Sequence, residues 1–189
     1  LTFPRRLEDN PSYLYYSNGR DAHYGEGVFV GYRYYEKRKV EPLFPFGHGL
    51  SYTTFEYASL RAPDEVLAGQ PIHVSVEVTN TGAIAGRETV QLYVGDEVTQ
   101  DVVRPVKELK GFHKVELAPG ESQLVRFTLN THDLAYYDVH RRAWITTPGK
   151  YRLYVGSSAA DIRATRSFGW IAPVDDRAPI EESTFEDDL

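Results

Sequence analysis

Apolar side chains occupy every second position from Ile72 onward. Ile72, Val74, Val76 and Val78 alternate with His73, Ser75, Glu77 and Thr79. A two-residue period places one set on one face of an extended chain, so this stretch predicts a half-buried β-strand, with His73 on its polar, solvated face. Asn80-Thr81-Gly82 follows with turn residues. Val90, Leu92 and Val94 repeat the alternation around Gln91 and Tyr93, and residues 107–117 give another strand, interrupted at Gly111. Ala118-Pro119-Gly120 turns the chain into residues 123–129, where Val125, Phe127 and Leu129 share a face. Tyr136-Tyr137 and Trp144-Ile145 flank His140-Arg141-Arg142 as the arms of a hairpin, with Trp144 expected in the core or on a sheet face. Pro148-Gly149 leads into Tyr151, Leu153 and Val155, and residues 162–168 make a last short strand.

Seven or eight strands separated by turn residues, with no helix among them, read as an antiparallel β-sandwich of immunoglobulin or fibronectin type III kind. The first 53 residues follow no such pattern. They hold eight of the 14 tyrosines, together with Phe3, Phe29, Phe44 and Phe46 and six glycines. Val28-Phe29-Val30 reads as a short buried strand running into Tyr32-Arg33-Tyr34-Tyr35. This stretch has too little core to fold alone, so it is expected to pack onto something else. Glycine-plus-aromatic loops line ligand clefts, but they also form seams between domains.

Charge adds a third region. Of the 27 acids and 21 bases, seven acids and one base fall in residues 171–189, leaving 20 of each in the remainder. The net charge of −6 is thus a property of the tail, which is expected to be disordered or to lie as a strap over another domain. A neutral body with no basic face argues against nucleic acid as a partner. No run of about 18 apolar residues is present, so no membrane-spanning segment is expected. The absence of Cys excludes disulfides, thiolate metal sites and a cysteine nucleophile. The chain opens Leu1-Thr2-Phe3-Pro4 and contains no Met, which suggests a piece of a longer polypeptide.

Candidate chemistry is sparse. Six histidines are scattered without metal-ligand spacing, and His48 sits in a Gly47-His48-Gly49 turn, where a turn-fixing hydrogen bond is its simplest role. No Gly-x-Ser-x-Gly elbow exists, Gly25-Glu26-Gly27 lacks the context of a dinucleotide loop, and Lys37-Arg38-Lys39 reads as a solvated turn. Asp21 and Glu26 lie among aromatics, as a sugar-cleaving site wants, but nothing marks either as nucleophile or acid. Tyr93, Tyr136, Tyr137 and Tyr154 would serve a carbohydrate-binding sandwich if they formed an exposed aromatic face.

Several segments resemble glycoside hydrolase family 3 β-glucosidases. Tyr24-Gly25-Glu26-Gly27-Val28-Phe29-Val30-Gly31-Tyr32-Arg33-Tyr34-Tyr35 is one, and Phe44-Pro45-Phe46-Gly47-His48-Gly49-Leu50-Ser51-Tyr52-Thr53-Thr54-Phe55 is the next. Arg104-Pro105-Val106-Lys107-Glu108-Leu109-Lys110-Gly111-Phe112, Leu117-Ala118-Pro119-Gly120-Glu121 and residues 149–158 are similar to that family's fibronectin type III-like module. The resemblance spans residues 1–168. It implies a mainly β carboxy-terminal portion: the end of an α/β sandwich domain and a linker (1–53), an immunoglobulin-like β-sandwich (54–170), and an acidic tail (171–189). Such enzymes retain anomeric configuration, using an Asp nucleophile and a Glu acid/base that both lie before Leu1 in the family's order, so no catalytic residue is carried over. The implied partners are the remaining catalytic domains and a β-glucoside substrate, without metal or other cofactor and without nucleic acid or membrane; a homo-oligomer is compatible with the resemblance. Glu26, Tyr32 and Arg33 are the candidate substrate-binding residues, with packing at a seam as the alternative. An independent carbohydrate-binding or scaffold module remains the second reading of the sandwich.

Overall fold

The computed structural model describes residues 1–16, 19, 21–97 and 102–171. The alternating segments form the strands they predict. In β3 (Ile72–Asn80) the residues at 72, 74, 76 and 78 are buried, and the polar set between them faces outward. β3 pairs antiparallel with β1 (Phe55–Arg61) and β6 (Ser122–Leu129) to make a three-stranded sheet. Against it stands a five-stranded sheet in the order β2 (Glu65–Leu67), β10 (Ile162–Ile171), β9 (Gly149–Gly156), β4 (Gly86–Asp96), β5 (Glu108–Leu117). Its pairings are antiparallel except the short parallel β2–β10 contact. Val90, Leu92 and Val94, Val115 and Leu117, Leu153 and Val155, and Phe168 and Trp170 meet the inner face of β3 and β6 in one core. This is the expected mainly β sandwich.

Two strands escape the sequence pattern for a visible reason. β1 carries an irregularity between Ala58 and Arg61, with Ser59 at φ 53°, so its apolar period is broken midway. β2 has three residues, too few to show a period. The interruption at Gly111 is real: pairing with β4 jumps from Gly111 to Leu109, leaving Lys110 as the extra residue of a bulge.

The expectations of no helix and of a strand at Val28–Val30 are corrected. Val28 and Val30 are exposed and outside any strand, and Tyr32–Arg38 is an α-helix, α1. Gly31 at φ 56° starts it, Lys39 at φ 56° ends it, and Lys37 and Arg38 sit in its last turn, where cations suit the helix dipole. The basic run is thus a helix end rather than a plain turn. Tyrosine's preference for strands misleads here, because the residues that matter are Tyr32, Tyr35 and Glu36, one helical face that needs a surface to cover. A second helical turn, α2 (Thr131–Leu134), is capped by the Asn130 side chain. β7 (Tyr136–Asp138) and β8 (Ala143–Ile145) form the expected hairpin. Trp144 is half-buried on it, whereas the tryptophan of the core is Trp170, 1% exposed. The acidic tail expected over 171–189 lies, beyond Ile171, outside the described residues.

Candidate functional site

The segment before β1 covers the outer face of the five-stranded sheet. The ring of Tyr32 stands edge-on to Tyr93 of β4, 5.7 Å between centroids, and packs against Phe46 at 5.2 Å. Below it the Tyr93 hydroxyl donates to the Gln91 side chain, whose amide nitrogen donates to the Ser157 carbonyl at 2.6 Å. Gly47, at φ 81°, lies directly on that Gln91 amide; a Cβ there would run into it. The turn at residues 45–48 is therefore glycine-dependent twice over, by backbone conformation and by contact. Its backbone is closed by the His48 N–H donating to the Pro45 carbonyl at 3.1 Å, while the exposed imidazole packs on Phe44 at 5.2 Å.

α1 runs antiparallel to residues 104–109, finding a partner at almost every step. Lys37 Nζ donates to the Arg104 carbonyl at 3.1 Å, Glu36 pairs with Lys107, Arg33 Nη1 reaches Glu108 Oε1 at 3.4 Å, and the Leu109 N–H donates to the Tyr32 hydroxyl at 2.7 Å. Lys107 is 6% exposed, and its ammonium lies 5.4 Å and 5.8 Å above the rings of Tyr93 and Tyr154. Burial pushes the Glu36 carboxyl above the usual carboxylate range, with Lys107 pulling the other way. Burial likewise raises the Tyr32 hydroxyl. Glu108 also meets Arg104 and Lys110, each at 3.8 Å, and Arg104 reaches Asp96 at 3.5 Å while lying over Tyr136.

Two of the three candidate residues thus share one place. Tyr32 and Arg33 sit on α1 against the start of β5, their polar atoms engaged by the sandwich. Glu26 stands apart from them, half-buried, accepting from the Ser12 hydroxyl at 2.6 Å. That hydrogen bond holds its carboxyl below the usual range. Asp21 is exposed, and no hydrogen bond joins it to Glu26. A cavity of about 400 Å³ opens between Asn10–Ser12 and Gly31–Arg33, and another of about 430 Å³ lies on the far side of α1 beside Lys107. Among the described residues, no group of three His, Asp or Glu side chains is placed to hold a metal ion.

The exposed aromatic face suggested for Tyr93, Tyr136, Tyr137 and Tyr154 is not formed. Tyr93 is fully buried beneath Tyr32, Tyr136 and Tyr154 are half-buried with a cation over each ring, and only Tyr137 is substantially exposed. Sequence reading missed Lys107, Glu36 and Gln91, the groups that tie the segment to the sheet. A signal existed for one of them: Gln91 breaks the apolar run of the most buried strand, where an amide must find partners.

Comparison with known proteins agrees with the sandwich fold. Residues 88–159 match the Fibronectin type III-like domain family. The chain is 44% identical over 177 residues to β-glucosidase BoGH3A of Bacteroides ovatus, covering 90% of this chain and 24% of that protein. Against thermostable β-glucosidase B of Acetivibrio thermocellus it is 50% identical over 163 residues, 85% of this chain and 22% of the relative. The crystal structure of the Kluyveromyces marxianus β-glucosidase in complex with glucose superposes with TM-score 0.82 at 42% identity, covering 90% of this chain and 21% of that one. That of the Bifidobacterium adolescentis GH3 β-glucosidase gives 0.81 at 37%, covering 94% and 27%. The fold is thus of the fibronectin type III-like class. More particularly, the chain matches the carboxy-terminal, fibronectin type III-like portion of glycoside hydrolase family 3 β-glucosidases, and it spans about a quarter or less of the length of the curated relatives it matches.

Proposed function

We propose that this chain is the non-catalytic supporting portion of a retaining β-glucosidase that releases terminal β-linked glucosyl or related residues. In this reading residues 1–53 complete an α/β sandwich domain, and the β-sandwich of residues 54–170 holds that end in place. The observation that carries it is the distribution of exposed apolar side chains. Among the described residues, 14 of the 24 large exposed hydrophobics lie before residue 54, including Leu1, Leu14, Tyr16, Tyr24, Leu50 and Tyr52, each more than 80% exposed. One side of the segment is thus packed on the sheet and the other presents an apolar surface of the kind that marks an interface. The remaining catalytic domains are the partner that surface fits.

Glu26, Tyr32 and Arg33 then shape the rim of the sugar site. Tyr32 and Arg33 do so through position, since the sandwich engages their polar atoms, and Glu26 through a carboxylate kept ionised by Ser12.

The test is reconstitution. The 189-residue chain alone is expected to hydrolyse no aryl β-glucoside, and adding the catalytic remainder of such an enzyme is expected to restore turnover and protect residues 1–53 from limited proteolysis. Hydrolysis by the isolated chain, or identical cleavage patterns with and without the remainder, overturns the proposal.

A further inference from the structure

The outer face of the three-stranded sheet takes no part in the seam with α1, and its charges are sorted along the strands. Residues opposite one another on neighbouring strands share a face, so the register gives the rows directly. Ala58, Glu77 and Leu124 form one row, Arg61, Ser75 and Arg126 the next, and His73 and Thr128 the last. Arg61 and Arg126 are both exposed, and two strand spacings set their backbones roughly 10 Å apart. Between and beside them lie only Ser75 and the His73–Thr128 pair, whose side chains meet at 3.3 Å.

Other surface arginines already hold a carboxylate. Arg87 pairs with Glu116 at 2.8 Å, Arg163 with Asp161 at 2.6 Å, Arg166 with Asp64 at 2.8 Å, and Arg152 with Glu97. Among the described residues, no hydrogen bond or ion pair engages the guanidinium of Arg61 or Arg126. Two like charges thus share one row of a sheet without a counter-charge, although the body of the protein has as many acids as bases.

The missing counter-charge is in the same chain. Residues 172–189 hold seven acids against one base. They continue from β10, whose last residue, Ile171, accepts a hydrogen bond at its carbonyl from the Ala68 N–H at 2.8 Å. From Ala68 the chain reaches His73 in five residues, which span at most about 18 Å. The acidic segment therefore starts at the end of the sandwich where the two arginines stand. Fully extended, it could reach about 60 Å, several times what the crossing needs.

We propose that the Arg61–Ser75–Arg126 row is the docking surface for the chain's own acidic carboxy-terminal segment. Each guanidinium offers a planar fork of donors that fits a carboxylate. Exposed pairs of this kind are individually weak. A tether compensates, because it presents the acids to the sheet at an effective concentration on the order of millimolar. That favours this segment over an acidic partner arriving from solution. The inference rests on sheet register and charge and does not depend on the catalytic reading above.

Nuclear magnetic resonance of the full chain tests it. The sequence has no Cys, so Ser183→Cys carries a single nitroxide label. At low ionic strength the label is expected to attenuate the backbone amide signals of Ser75, Arg126 and Thr128 several-fold more than those of Gln91 and Leu109, which belong to the other sheet. Arg61→Gln/Arg126→Gln changes two exposed side chains, leaves the core intact and is expected to abolish the difference. Salt near 1 M, where the screening length falls to about 3 Å, is expected to do the same. Equal attenuation on both sheets, attenuation centred on the His140–Arg142 hairpin tip, or a pattern unchanged by the arginine substitutions overturns the proposal. So does equal attenuation when spin-labelled chains are mixed with isotope-labelled chains that carry no nitroxide, because the segment would then be reaching a second copy.

Discussion

Replacing Lys107 by Met removes the cation from the seam while keeping its length and apolar stem. In the native chain Lys107 pairs with Glu36 Oε1, and Glu36 Oε2 is buried without a partner. The substitution therefore leaves both carboxylate oxygens bare beneath the helix and removes the ammonium from the faces of Tyr93 and Tyr154. Breaking one partner from a buried pair costs about 3–5 kcal/mol. Glu36 retains 19% side-chain exposure and can take up a proton, which brings the expected loss to about 2–3 kcal/mol near neutral pH.

The pH dependence has a definite sign. Burial already raises the folded-state pKa of Glu36, so between its unfolded and folded values the native chain binds more protons than the unfolded chain. Stability from this group is fully present below the unfolded value and falls as pH rises through the folded one. Lys107→Met raises the folded value further, so its deficit shrinks as the solution is acidified toward the ordinary glutamate range. Urea unfolding followed by tryptophan fluorescence reads this directly, since Trp170 is buried in the core. The double variant Glu36→Leu/Lys107→Met, which removes both charges, is expected within about 1 kcal/mol of native. A Lys107→Met deficit below about 0.5 kcal/mol, or one that grows on acidification, refutes the reasoning.

Asn80 is fully buried, and its amide donates to the carbonyls of Ile84 and Leu117 at 2.8 and 2.9 Å while accepting from Thr53 and Gly82. Asn80→Ala strands those groups and is expected to lower unfolding free energy by about 2–4 kcal/mol, measured by denaturant titration. Gly156→Ala would drive a Cβ into the Asp161 carbonyl, so a loss of about 1–3 kcal/mol is expected in the same assay, against about zero for Gly49→Ala, whose Cβ meets no atom within 4 Å among the described residues.

Strand placement was legible in the sequence because the sandwich has one wet face and one dry face along most of its strands. Alternation at residues 72–78 and 151–155 is the direct image of that burial, whereas residues 90–94 are buried on both faces because the segment before β1 covers the outer one. β1 was hidden by its irregularity, and α1 by aromatic residues that suit a strand as well as a helix.

The candidate site was only partly legible. Tyr32 and Arg33 stood out by their motif, and both prove to lie at the seam, but Glu36 and Lys107, 71 positions apart, carry no local mark of their pairing. What the sequence determined by itself was the period of the long regular strands and the resemblance to a family, because both are written in nearest-neighbour order. What only the tertiary structure decided was which outer face of the sheet is covered. Covering it depends on long-range contacts of α1 and the 45–48 turn with β4 and β5. Those contacts turned Tyr93 from a candidate sugar platform into a buried floor, and left Tyr137 exposed on its hairpin.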